Sequence, residues 1–143
     1  MPQSVAATIS ALIVDDEQLA REELSYLLTD IPDIEVLQTA SNGIEAVKLI
    51  EQLEPDVVFL DVQMPGLDGL GVIEQVREKA APLPHFILTT AFDQYAVEAF
   101  RLQALDYLLK PVEKDRLAES VARARRTLED KEKEQEQEYR KAV

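Results

Sequence analysis

The stretch Val57-Val58-Phe59-Leu60-Asp61 decides the fold. Four consecutive apolar residues end abruptly in a carboxylate. A strand with no polar alternation must be covered on both faces, as in a parallel sheet sandwiched between helices. Ala11-Leu12-Ile13-Val14 repeats the pattern and runs straight into Asp15-Asp16-Glu17. Two buried strands that each deliver acid at their C-terminal end are the starting point.

Outward from these, the chain alternates between two periods. Gln18–Leu28 places Leu19, Leu24, Leu27 and Leu28 at roughly helical spacing. Ile34–Thr39 reads as a second strand. Ser41-Asn42 can cap a helix over Gly43–Leu53, with Ile44, Val47 and Ile50 on one side. After Asp61 a Met64-Pro65-Gly66 turn opens a helix to about Lys79, with Leu70, Ile73 and Val76 inward. Ala80–Pro84 reads as a loop, because its two prolines break either regular element. Phe86–Leu88 is a fourth strand ending at Thr89-Thr90, Gln94–Leu102 a helix, and Asp106–Leu109 a fifth strand ending at Lys110-Pro111. A last helix starts near Val112. Five successive strand–helix units predict an α/β fold, a doubly wound (βα)5 sheet with helices on both faces.

The polar residues cluster by position. Asp15-Asp16, Asp61, Thr89-Thr90 and Lys110 each sit at the C-terminal end of a predicted strand. Open α/β sheets bind ligands at that edge, where the strand order reverses. In the flavodoxin-like order 2-1-3-4-5 the first and third strands are neighbours, so the three aspartates meet. Three adjacent carboxylates repel unless a cation or protons neutralise them. Mg²⁺ suits such a site, since it takes one or two carboxylates, keeps waters and completes its octahedron with phosphate oxygens; Mn²⁺ is the alternative. A carboxylate can also attack a phosphoryl group. Lys110 can neutralise phosphoryl oxygens, and the Thr90 hydroxyl can hydrogen-bond one.

Taken together and in order, Val14-Asp15-Asp16-Glu17, Val58–Gly69 (VFLDVQMPGLDG), Leu88-Thr89-Thr90-Ala91 and Asp106–Pro111 (DYLLKP) resemble the receiver domain of a two-component response regulator. The resemblance covers about residues 9–125. The segments Ala91–Ala96 and Ala104–Pro111 are similar to receivers that precede LytTR-type DNA-binding domains. The resemblance implies that Asp61 is the phosphoacceptor and that Asp16 ligates the metal directly. It implies that Asp15 acts partly through water and that Gln63 contributes its backbone carbonyl, its side chain being of no necessary importance. Thr90 matches the switch hydroxyl, Lys110 the phosphoryl-binding lysine, Tyr107 the aromatic whose rotamer reports the state, and Pro111 a position preceded by a cis peptide bond. A sensor histidine kinase is the implied donor. A homodimer through the fourth helix, fifth strand and fifth helix is the implied output.

Composition bounds the alternatives. The chain is 46% hydrophobic and 30% charged, ordinary for a soluble domain, and has no cysteine, which excludes disulfides and thiolate chemistry. Residues 1–112 hold 6 Lys/Arg against 19 Asp/Glu. Such acidity speaks against direct nucleic-acid binding by this chain; the LytTR-like resemblance implies that any DNA contact falls to a C-terminal domain beyond it. No apolar run is long enough to span a bilayer, and the expected compartment is the cytoplasm. Leu117, Val121, Ala124 and Leu128 form one helical face, which turns polar at Lys131. The expected divisions are therefore a tail (1–8), the receiver (9–128) and a charged helical extension or linker (129–143). Asp61-Val62-Gln63 lacks the second aspartate of a D-x-D phosphatase loop, and Gly66, Gly69 and Gly71 do not form a nucleotide-binding motif. The rivals are a small-molecule phosphatase or phosphotransferase and a receiver-like module that is never phosphorylated. The favoured reading is a phosphoacceptor rather than a turnover enzyme. His85, the single histidine, is expected at the surface.

Overall fold

The computed structural model describes residues 8–79 and 82–142. Residues 1–7 of the expected tail lie outside them, as do Ala80 and Ala81 of the expected loop; Pro82–Pro84 are irregular. Among the described residues, strands β1 (Ile9–Val14), β2 (Ile34–Ala40), β3 (Val57–Asp61), β4 (His85–Thr90) and β5 (Asp106–Leu109) alternate with helices α1 (Gln18–Thr29), α2 (Gly43–Leu53), α3 (Gly69–Arg77), α4 (Ala96–Arg101) and α5 (Lys114–Ala142). Every strand pairing is parallel and the order is β2-β1-β3-β4-β5. The flavodoxin-like expectation holds, including the adjacency of β1 and β3.

Successive residues of the central strands enter opposite cores, as the unbroken apolar runs require. Leu12, Val14, Val58 and Leu60 face a core shared with Val47 and Ile50 of α2 and Ile73 and Val76 of α3. Ile13, Val57 and Phe59 face the other, with Leu24 and Leu28 of α1 and Leu117 and Val121 of α5. The sheet is thus buried on both faces and pinned, and its C-terminal edge is the place left for polar groups.

Two inward assignments fail. Leu19 and Ile44 are exposed. Leu19 lies five residues from Leu24, about 140° around the helix, so it leaves the buried stripe. Ala46, one turn before Ile50, takes the core position expected of Ile44. The fourth helix is shorter than its periodicity suggests: Asp93–Tyr95 form a 3₁₀ turn, and Gln103 at φ 58° closes the far end. The fifth starts at Lys114 and continues unbroken to Ala142, exposed from Glu129 onward. His85 opens β4 half-buried rather than at the surface. No helix among the described residues is long and apolar enough to cross a membrane.

Candidate metal and phosphoryl site

The end of β3 carries Asp61 beside the end of β1, whose chain continues into Asp15 and Asp16. Carboxylate oxygens of the three lie within 4.8 Å of one another. Asp15 and Asp61 are buried and Asp16 is exposed. Lys110 reaches in from the end of β5, its Nζ 2.6 Å from Asp15 Oδ2 and 3.6 Å from Asp61 Oδ1. A cleft of about 340 Å³ opens beside Asp15 and Lys110, walled by Leu19, Leu24, Pro111 and Val112.

The two neighbouring aspartates are in different circumstances. Asp15 is engaged on every side. Its N–H donates to the Ala40 carbonyl at 3.1 Å. Its Oδ1 accepts from the Glu17 N–H at 2.9 Å, its Oδ2 from Lys110, and its carbonyl from Arg21 Nη1 at 2.7 Å. Asp16 accepts no hydrogen bond on its carboxylate among the described residues. A ligand position needs free lone pairs, and Asp16 has them.

Burial pushes the Asp61 carboxyl up from an ordinary 3.8 to about 7; the charge of Asp15 adds to this, and Lys110 partly opposes it. For Lys110, burial alone would lower the ammonium. The hydrogen bond to Asp15 and the charges of Asp61 and Asp15 outweigh burial and hold it above its usual value. One lysine against three carboxylates leaves the pocket short of positive charge. A divalent cation would supply what is missing, and an all-oxygen donor set of this kind suits Mg²⁺.

The remaining expected residues gather at the same edge. Thr90 is fully buried, and its Oγ1 accepts from the Phe92 N–H at 3.2 Å. Tyr107, half-buried on β5, donates its hydroxyl to the Phe92 carbonyl. Both residues therefore hold one loop, between β4 and α4. The Lys110–Pro111 bond is cis, as the resemblance implies. Gln63 lies two residues past Asp61, and its backbone works weakly against the upward shift of the Asp61 carboxyl. Its side chain, expected to matter little, donates to Tyr95 Oη at 2.9 Å.

Three residues escaped the sequence reading. Arg21 lies within the first helical run and was given no role, and only the fold shows it turning back to Asp15. Tyr95 carried no signal beyond its place in a helical run. Gly69 looked like a turn residue, yet a Cβ there would stand 2.3 Å from the Asp61 carbonyl oxygen. The N-terminus of α3 touches the acceptor strand because that position has no side chain.

The sheet and its acidic edge define a class of α/β signalling modules. The chain belongs to the response regulator receiver domain family, whose model matches residues 11–122. It is similar to the positive alginate biosynthesis regulatory protein of Pseudomonas aeruginosa, 50% identical over 119 residues, which make 82% of this chain and 48% of that protein. It is also similar to the transcriptional regulatory protein BtsR of Escherichia coli, 44% identical over 117 residues, 82% of this chain and 48% of the relative. The chain spans about half the length of the curated relatives it matches. Among solved structures, the REC domain of AraT, a response regulator from Geobacillus stearothermophilus, superposes with a TM-score of 0.79 at 40% identity, covering 87% of this chain and 98% of that one. The family consists mainly of signalling modules rather than turnover enzymes.

Proposed function

We propose that Asp61 accepts a phosphoryl group from the phosphohistidine of a sensor kinase in a Mg²⁺-dependent reaction. The juxtaposition of Asp15, Asp16 and Asp61 with Lys110 bridging two of them is the observation that carries the reading. Asp16, Asp61 and the Gln63 carbonyl would hold the ion, and Asp15, whose two oxygens already accept from Glu17 and Lys110, would act through a water. Mg²⁺ when bound lets Asp61 ionise and offsets charge on the phosphoryl oxygens; Mn²⁺ can substitute. An Asp61 carboxylate oxygen bonds to phosphorus as the donor P–N bond breaks and the imidazole leaves. Lys110 then turns from Asp61 to a phosphoryl oxygen, and the Thr90 hydroxyl leaves the Phe92 N–H to meet another.

That exchange frees the loop that Thr90 and Tyr107 hold. Phosphorylation is a differential ligand for a second arrangement of α4, β5 and α5, and it shifts the population toward it. Val97, Phe100 and Leu109 leave an exposed apolar patch on this face, which supports homodimerisation there as the output. Exposed Leu19 at the cleft beside Asp15 supports docking of the kinase on α1. A LytTR-type DNA-binding domain would follow the helical extension at 129–143, consistent with transcriptional regulators among the relatives. The DNA contact belongs to that domain and the compartment is the cytoplasm. In intact-mass spectrometry with acetyl phosphate and Mg²⁺, the protein gains one phosphoryl group. The gain disappears in Asp61→Ala and in EDTA. Full labelling of Asp61→Ala refutes the assignment.

A further inference from the structure

We infer that Arg21 is a positioning residue of the metal site, acting through the Asp15 carbonyl rather than through its charge. The inference rests on the proposed Mg²⁺ site and concerns how that site is kept in shape. Arg21 occupies the second turn of α1, and its Nη1 donates to the Asp15 carbonyl oxygen at 2.7 Å. That oxygen belongs to the peptide joining Asp15 to Asp16. Its hydrogen bond fixes the plane of this peptide, and so the direction in which the Asp16 side chain leaves the turn.

The need for such a clamp follows from the rest of the turn. The side chain of Asp15 is anchored to Glu17 and Lys110, and its N–H to β2. Asp16 lacks any such anchor on its own carboxylate, and the first helical turn supplies no help: Glu17 at the N-cap makes no side-chain capping bond. The geometry of Asp16 is therefore set from behind, by the peptide that Arg21 holds. A guanidinium suits this task because it is always charged and donates through a rigid planar fork, which makes a strong bond to a carbonyl.

Charge and position predict opposite signs, which makes the inference testable. A cation near an acidic pocket opposes Mg²⁺, so removing it on electrostatic grounds alone tightens Mg²⁺ binding. Loss of a positioning bond loosens it, by about 3- to 10-fold for one hydrogen bond of this kind. The test is calorimetric titration of Mg²⁺ into wild type, Arg21→Met, Arg21→Lys and Arg21→Gln, with urea unfolding in EDTA on the same samples. Arg21→Met is expected to bind Mg²⁺ about 3- to 10-fold more weakly. Arg21→Lys is expected to recover most of the affinity, because its ammonium can still donate to the carbonyl, and Arg21→Gln part of it. Labelling by acetyl phosphate returns to the wild-type rate in Arg21→Met once Mg²⁺ is saturating, since only the site's occupancy is affected. Equal or tighter Mg²⁺ binding by Arg21→Met overturns the inference. So does a slow labelling rate that persists at saturating Mg²⁺, or a Lys variant no better than Met. Reduced stability in EDTA with unchanged Mg²⁺ affinity shows a structural role only and also overturns it. Failure of the wild type to bind Mg²⁺ or to label refutes instead the reading on which it rests.

Discussion

Replacing Asp61 with asparagine should stabilise the metal-free protein, and more so as the pH rises. In the folded chain Asp61 is 4% exposed and its pKa is pushed from 3.8 to about 7, chiefly by burial and by Asp15. The sign is set by proton uptake. Between these two values the native state holds a proton that the unfolded chain has released, so stability falls as the pH climbs through the window. The penalty is complete above about pH 7 and absent below about pH 4. At about 1.4 kcal/mol per pH unit, the full effect is about 4 kcal/mol. Asparagine keeps the shape and cannot ionise. The opposing charge of Lys110 is already contained in the folded value of about 7, so the net gain at pH 8 approaches this full effect.

The assay is urea unfolding of wild type and Asp61→Asn in EDTA at several pH values from 5 to 8. The stability gap in favour of the variant is expected to widen by about 3 kcal/mol over that range. Addition of Mg²⁺ should then narrow the gap, since wild type gains RT ln(1 + [L]/Kd), about 1.4 kcal/mol at ten times Kd, and the variant gains little. A gap that stays constant from pH 5 to 8, or a variant less stable than wild type at pH 8, refutes the argument that Asp61 is held in the fold at electrostatic cost.

Gly69→Ala should lower stability by about 1–3 kcal/mol, because the new methyl meets the Asp61 carbonyl oxygen; thermal unfolding measures the loss, and acetyl phosphate labelling should slow as the acceptor strand shifts. Asp106, at the start of β5, is penalised by burial, yet the bidentate Arg116 guanidinium and the Tyr107 N–H hold its carboxyl below the usual range. Its depressed folded value means that its contribution is fully present above about pH 4 and lost as the pH falls through the folded value. Asp106→Asn should therefore cost about 1–3 kcal/mol at pH 7, shrinking in acid, as read by urea unfolding at each pH.

Much of this was legible in the chain because the sheet is buried on both faces. Val57–Leu60 and Ala11–Val14 admit no other environment than a covered parallel strand, and each ends in a carboxylate that the strand order brings together. The contributors that could not be read share a different origin. Arg21 acts through a main-chain oxygen six residues back, and a backbone acceptor leaves no trace in residue identity. Gln63 and Tyr95 meet across 32 residues through a hydroxyl whose position depends on the 3₁₀ turn at Asp93–Tyr95, which helical periodicity conceals. Leu19 and Ile44 misled for the opposite reason: apolar residues are common on surfaces, and only the angle around the helix excludes them from the core.

The proposed division of labour between Asp15 and Asp16 rests on this geometry rather than on their identity as neighbours. Asp15 has one carboxylate oxygen bonded to the Glu17 N–H and the other to Lys110, so it has fewer lone pairs to offer a metal than Asp16. Asp16 has no such bond to lose. The same contact explains why Lys110 can serve as a switch. Its stronger partner, Asp15, lies beside the acceptor, and its weaker one, at 3.6 Å, is the acceptor itself. On the proposed phosphorylation Asp61 becomes an acyl phosphate, its negative charge moves to the phosphoryl oxygens, and only the looser contact is given up. The ammonium would then meet a phosphoryl oxygen while still tied to Asp15, and the adjustment would reach Thr90 through the hydrogen bond from the Lys110 N–H to the Thr90 carbonyl.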